Sequence, residues 1–283
     1  MDKRIYNSEI YKLTKFIRKM PNSHNIIKEF STEVGIENED ALYHIISDMY
    51  KAHLKDIAYT NFIDYCSAPG IYSKYLLEKN KHAVGVGISL PPCKGGVEIH
   101  EEVSKRFKKR YTIEYINIYD VPEKKYTPKY DLCLASCISY DKDADYISEY
   151  KIIFKSLLLC LMELEKDGTL IINFTFKDII WTINILYLFT KLFDRIELFK
   201  STNVWVLQRS FYVIGKKYTY KENIHKKFED FYENIESVYE KWKVELFPEI
   251  EFKDVQYLMN MLELNVFVPQ IKSYVIISTK DVL

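Results

Sequence analysis

An α/β chain is predicted, with a mostly parallel seven-stranded sheet, its last strand antiparallel, and helical extensions at both ends. Three observations predict it. Between about residues 60 and 217, short runs rich in β-branched residues alternate with longer helical patterns, as when parallel strands are joined by crossover helices. The last two runs stand too close for a helix between them, so a hairpin reverses the final strand. On either side of this region apolar residues recur at helical spacing.

In chain order, Ile10-Tyr11, Leu13 and Phe16-Ile17, then Leu42, Ile45-Ile46 and Met49-Tyr50, predict helices over residues 1–57. The strand runs follow: Phe62–Cys66, Ala83–Ile88, Ile113–Ile118, Tyr130–Ala135 and Thr169–Phe176, then Ile196–Phe199 and Phe211–Ile214. Helices should start near Ser73, Glu98, Ile147 and Asp178. Beyond Lys217 a helix carries Phe228, Phe231-Tyr232, Ile235, Tyr239 and Trp242 on one face. A second runs from Asp254 to Leu264 after the Pro248 break, and Ser273–Ser278 reads as a strand or buried tail. The expected division is a helical extension over 1–57, an α/β domain over 58–217, and a helical extension packed on that domain over 218–283.

Hydrophobic residues make up 48%, with 24 Tyr and 16 Phe, enough to build a core and to exclude a disordered chain. The 40 basic and 40 acidic residues cancel, so contact with nucleic acid would require a local patch rather than a global field. Five cysteines, an odd number and mostly inside apolar runs, read as reduced buried thiols in a cytoplasmic protein, whether of a cell, a viral factory or a virion. Cys133 and Cys137 have metal-pair spacing but no second pair nearby, so no metal is expected. No apolar signal core follows Met1, and the longest apolar run, Ile179 to Phe193, is broken by polar residues, so no membrane span is expected. Abundant Lys, Ile, Asn and Tyr suit an A/T-rich coding sequence, as in a virus, plasmid or A/T-rich microbe.

The chemistry-bearing segment is Phe62-Ile-Asp-Tyr-Cys-Ser-Ala-Pro-Gly70, a strand ending in small residues and leading into a helix of Tyr72, Tyr75, Leu76 and Leu77. Small residues let the backbone approach a ligand, and the helix start offers free N–H groups. The string resembles the first motif of the FtsJ-like RNA ribose 2′-O-methyltransferases, with Ile71 in place of the second glycine. Ala83–Leu90, Ile116–Asp120, Tyr130–Ala135, Leu164–Ile172, Tyr187–Phe193, Ile196–Leu198 and Arg209–Gly215 are similar, in order and spacing, to the later motifs. The resemblance implies a Rossmann-type methyltransferase fold and an S-adenosylmethionine (SAM) site formed by Asp64, Cys66, Ser67, Ala68, Pro69, Gly70 and Asp120. It also places no ribose-binding acid after the second strand, which puts SAM binding in doubt.

The family's Lys-Asp-Lys-Glu tetrad steers and activates the ribose hydroxyl. Carried over, its Asp falls on Ser136, its central Lys on Asn173 and its Glu on Ser210. Its first Lys belongs near Lys51 or Lys55, with His44 closer to the usual offset. Lys177, Asp141 and Asp143 are the neighbours able to substitute. Ser and Asn supply hydrogen bonds but not the charges, so the resemblance implies a non-catalytic member. Its expected role is an RNA-binding or partner-binding, stimulatory subunit in RNA cap formation or modification, plausibly within a heteromer. The small subunit of the poxvirus mRNA-capping enzyme is similar at fold level. The alternative is an active SAM-dependent RNA methyltransferase, acting at a cap or internal ribose, with a rearranged site.

Three further features have bland and functional readings. Lys94-Gly-Gly96 is a flexible loop able to touch phosphate. The run Lys105–Arg110 is a solvated helix end or an RNA-backbone contact. The aromatic C-terminal stripe reads as core, with a partner interface as its rival.

Overall fold

The computed structural model describes residues 38–122, 126–137, 146–175, 178–202, 204 and 210–271, together with Lys12. The patterns expected before residue 38, the segment Ser273–Ser278, and Lys177, Asp141 and Asp143 lie outside the described residues.

Helix α1 (Asn38–Met49) is followed by β1 (Asn61–Tyr65), α2 (Ile71–Lys79), β2 (Val84–Ser89), α3 (Glu101–Arg106) and β3 (Tyr111–Tyr115). Then come β4 (Tyr130–Ala135), α4 (Tyr146–Glu163), β5 (Leu164–Thr175), α5 (Ile179–Leu192), β6 (Phe193–Phe199) and β7 (Ser210–Tyr218). Helices α6 (Glu222–Glu233), α7 (Ile235–Trp242) and α8 (Phe252–Leu262) follow. The seven strands form one sheet in the order β3-β2-β1-β4-β5-β7-β6. Pairings among β1 to β5 are parallel, and β7 runs antiparallel between β5 and β6. The reversed last strand agrees with the spacing of the final two runs.

Alternation along each strand divides the core into two layers. In β4, Leu132 and Leu134 face one side with α1, α2 and α3, while Cys133 and Ala135 face the other with α4 and α5. All four are at most 1% exposed, as a central parallel strand covered on both faces requires. Helix α5 is buried almost all round because β6 packs on one side and α6, α7 and α8 on the other. Among the described residues no helix is long and apolar enough to cross a membrane.

Several boundaries differ from expectation. Strand β3 starts earlier, at Tyr111, and also ends earlier, because Asn117 Oδ1 accepts the Tyr119 amide at 3.1 Å and starts a 3-10 turn over Ile118–Asp120. Strand β5 starts at Leu164, with an irregular register between Tyr130 and Leu132 of its neighbour, where Asp167 takes a left-handed φ of 64°. The long C-terminal helix breaks at Asn234 into α6 and α7. Helix α8 begins before Asp254 because Glu251 and Asp254 form a capping box.

The aromatic stripe is core. Phe228, Phe231 and Tyr239 are buried, and the Phe231 ring lies 4.1 Å from Phe154 and 4.7 Å from Trp181, centroid to centroid. These rings are therefore unavailable as the partner surface that the sequence also allowed, because α4 and α5 already occupy the face.

Candidate functional site

A cavity of about 850 Å³ opens at the C-terminal ends of β1, β2 and β4, where the sheet order reverses between β1 and β4. Open α/β sheets bind ligands at such a point, because the loops leaving neighbouring strands diverge to opposite faces. Asp64, Cys66, Ser67, Ala68 and Pro69 line its floor, Ile88, Ser89 and Leu90 one wall, and Asn117, Ile118 and Tyr119 the far side. Leu42 and Ile45 of α1 and the Lys94-Gly95-Gly96 loop complete the rim.

Most of the residues expected to form the SAM site therefore line the cavity, and two, Gly70 and Asp120, do not. Gly70 is not among the lining residues. Its φ of 96° makes the turn into α2, and an added Cβ would lie 3.3 Å from Ile99 and 3.5 Å from Val103, so its smallness serves the packing of α3. Asp120 is exposed and pairs with Lys94 at 3.9 Å, while Asn117, Ile118 and Tyr119 line the cavity in its place. The cause is again the 3-10 turn, which turns Asp120 outward. Ile71, at the turn position expected to crowd a ligand, forms part of the cavity wall.

Ser136, Asn173 and Ser210, from the ends of β4 and β5 and the start of β7, all line the same cavity. Ser67 Oγ, Ser136 Oγ and Asn173 Oδ1 are buried without a well-aligned hydrogen bond, with the Tyr111 hydroxyl beside Ser67 and the Tyr212 hydroxyl beside Ser136. Buried polar atoms rarely stay unpaired, so Asn173 Oδ1, with the two hydroxyls beside it in the lining, gives the cavity polar groups that a ligand could satisfy. Lys51 does not reach it: its side chain is 71% exposed and pairs with Asp48 at 3.7 Å. Lys55 and His44 are also exposed and absent from the lining, because α1 turns Leu42 and Ile45 inward instead.

The sequence reading missed Lys200. It follows β6 directly, lines the cavity, and is buried, with Nζ donating to the Ser210 carbonyl at 2.6 Å. A lysine ending the apolar run Ile196–Phe199 was its only local signal. Tyr72 and Tyr212, joined hydroxyl to hydroxyl at 2.5 Å, were also missed. Burial holds both phenols well toward their neutral form, pushing Tyr212 up to about 12. Asp64 accepts a hydrogen bond from Ser73 Oγ at 2.7 Å. Burial nevertheless dominates and pushes its carboxyl up to about 7.

The cysteine expectation is corrected most. Cys66 and Cys137 form a disulfide, with Cα atoms 5.1 Å apart, linking the turns after β1 and β4. Parallel pairing of Tyr65 with Ala135 brings these turns together, which a separation of 71 residues hides. Cys133 and Cys160 remain buried thiols as expected, each directed at the other strand's or helix's backbone carbonyl, and Cys93 is an exposed thiol. Among the described residues no cluster of His, Cys, Asp or Glu is suited to hold a metal ion.

The basic run is largely engaged within the chain. Lys105 pairs with Glu101, and Arg106 with Glu78 and Glu102. The Arg110 guanidinium donates to the carbonyls of Leu77, Asn80 and Ala83, closing the C-terminal end of α2. The helix-end reading thus holds for these three residues.

The profile of the family described as FtsJ-like methyltransferase matches residues 42–218. Similar solved structures include a protein described as a ribosomal RNA methyltransferase from Plasmodium falciparum, 12% identical, with a TM-score of 0.47 over 63% of this chain and 97% of that one. The N-methyltransferase NodS from Bradyrhizobium japonicum is 11% identical, with a TM-score of 0.40 over 65% of this chain and 100% of that one. An O-methyltransferase family protein from Burkholderia thailandensis is 11% identical, with a TM-score of 0.38 over 75% of this chain and 72% of that one. A search of curated proteins gave no match.

Proposed function

Since the chain belongs to the FtsJ-like methyltransferase family, we propose that it keeps the family's ligand cavity but acts as a non-catalytic subunit, binding RNA or a catalytic methyltransferase in RNA cap formation or modification. One observation carries this reading: Ser136, Asn173 and Ser210 meet in one cavity without a carboxylate or amine at the tetrad positions. The family's use of SAM makes it the first ligand to test. SAM bound there would supply a sulfonium methyl group, and the cavity fits a ligand of its size, since small-molecule sites span roughly 300–1,000 Å³. Ser67 and Ser136 offer hydroxyls and Asn173 an amide oxygen to its polar groups. No carboxylate stands at Ser89 or Leu90 to hold its ribose, which predicts weaker binding than in relatives that have one.

The test is methyl transfer from labelled SAM to capped and uncapped RNA, with binding followed by calorimetry. The expected outcome is no transfer by the chain alone and stimulation of a co-purified methyltransferase. Turnover by the chain alone overturns the reading.

Lys200 favours a second reading, an active methyltransferase with a rearranged site, because it brings an amine into the cavity from β6 rather than β5. On that reading Lys200→Met abolishes turnover while the circular dichroism spectrum and SAM affinity stay unchanged.

A further inference from the structure

The bridge Cys66–Cys137 lies where the cavity is assembled. Cys66 lines the cavity, and the residue after it, Ser67, presents a buried hydroxyl to it. Cys137 is 2% exposed, and the residue before it, Ser136, presents another buried hydroxyl beside Tyr212. The two ligand-facing hydroxyls are thus each one residue from a bridged sulfur. Beyond the β1–β4 pairing that ends at Tyr65 and Ala135, the Ser136 amide reaches the Tyr65 carbonyl at a long 3.4 Å, while Ser67 is held by its amide to the Ile88 carbonyl at 3.1 Å and by its carbonyl to the Gly70 amide at 2.6 Å. Cys66 also holds a left-handed φ of 61°, unfavourable for a side chain with a Cβ and persisting only where surroundings enforce it.

We propose that Cys66–Cys137 is a thiol-sensitive latch: the bridge holds Ser67 and Ser136 in position for the cavity's ligand, and its reduction loosens both turns and weakens binding. The ligand part of this proposal rests on the cavity reading above; the latch itself does not. The reductant is a low-molecular-weight thiol or dithiol. Its thiolate attacks Cys66 Sγ, the sulfur on the cavity side, forming a mixed disulfide and releasing the Cys137 thiolate, which takes up a proton. A second thiolate then attacks the reductant's sulfur in the mixed disulfide, releasing Cys66, which is protonated in turn. Two electrons and two protons pass to the protein, and the reductant leaves as its disulfide.

The test compares the full chain oxidised by oxidised glutathione with the same chain reduced by dithiothreitol. Peptide mass spectrometry should find the 66–137 bridge only in the oxidised sample; two free thiols there overturn the proposal. Amide hydrogen exchange at Ser67 and Ser136 should quicken by at least about tenfold on reduction, while Ile171 and Ile172 of β5 stay protected. Unchanged exchange at the two turns overturns the latch. So does equal quickening throughout, which would make the bridge a general staple. The double variant Cys66→Ser, Cys137→Ser should match the reduced protein and ignore dithiothreitol. SAM affinity by calorimetry should fall about tenfold or more on reduction, and equal affinity in the two states overturns the gating of binding. Absence of SAM binding in both states refutes the cavity reading, and hydrogen exchange then decides the latch alone.

Discussion

Asp64 is nearly enclosed, and one hydroxyl, that of Ser73, is its hydrogen-bond donor, so water is removed without enough replacement to keep the carboxylate charged. Its folded-state value of about 7 lies above the ordinary 3.8, so between those limits the native chain holds a proton that the unfolded chain has lost. The Asp64 contribution is therefore full below about pH 4, declines as pH rises toward about 7, and levels off above it, a loss on the order of 2–4 kcal/mol. Asp64→Asn should remove this part of the pH dependence, because the amide oxygen can still accept from Ser73 and carries no charge. Urea midpoints at pH 5 and pH 8 check it: the wild type should fall between them and the variant should hold. A wild-type midpoint that rises toward pH 8 contradicts the assignment. A neighbouring constraint is Gly87, where a Cβ would stand 2.0 Å from Tyr111 OH and 2.6 Å from Ser67 Oγ. At this scale the first-motif residues were legible because they are contiguous. Lys200 and the cysteine bridge were not, because their significance lies in strands that meet only in the sheet.

Helix α5 shows what a single polar residue does for an element. Asn184 is fully buried on a mostly apolar helix. Its amide donates to the carbonyls of Trp242 at 2.9 Å and Glu245 at 2.8 Å, and its oxygen accepts from the Phe247 amide at 3.0 Å. The chain leaving α7 therefore ends its helix on Asn184, which satisfies three backbone groups that a loop in that place would otherwise leave unpaired. Asn184→Leu should cost about 2–4 kcal/mol in denaturant unfolding, far more than an ordinary surface change, because three groups lose their partner together. The existence of the elements was legible in their periodicity. Their ends were set by local contacts, the Asn117 cap before the 3-10 turn and the Glu251–Asp254 box before α8, which apolar spacing does not register.

For the whole molecule, α6, α7 and α8 complete one layer of the core rather than decorate it. Phe154 and Trp181, both fully buried, are covered by Phe228, Phe231 and Trp242. We expect a chain truncated after Tyr220 to expose this aromatic cluster, bind a hydrophobic dye and lose cooperative thermal unfolding. A truncated chain that melts cooperatively near the full-length temperature would show that residues 218–283 form a separable unit.

The amino-acid order by itself determined the sheet, its reversed final strand and the family resemblance, because alternating strand and helix periods and a short turn motif are local properties of the chain. From the resemblance it also led to the expectation that Ser136, Asn173 and Ser210 stand at the tetrad positions. Tertiary structure alone decided that these three face one cavity, that Lys200 joins them, that Asp120 and Lys51 do not, and that Cys66 and Cys137 are bridged. The physical reason is the crossover connection: parallel strands place neighbouring ends tens of residues apart in sequence, and the site is assembled where those ends meet.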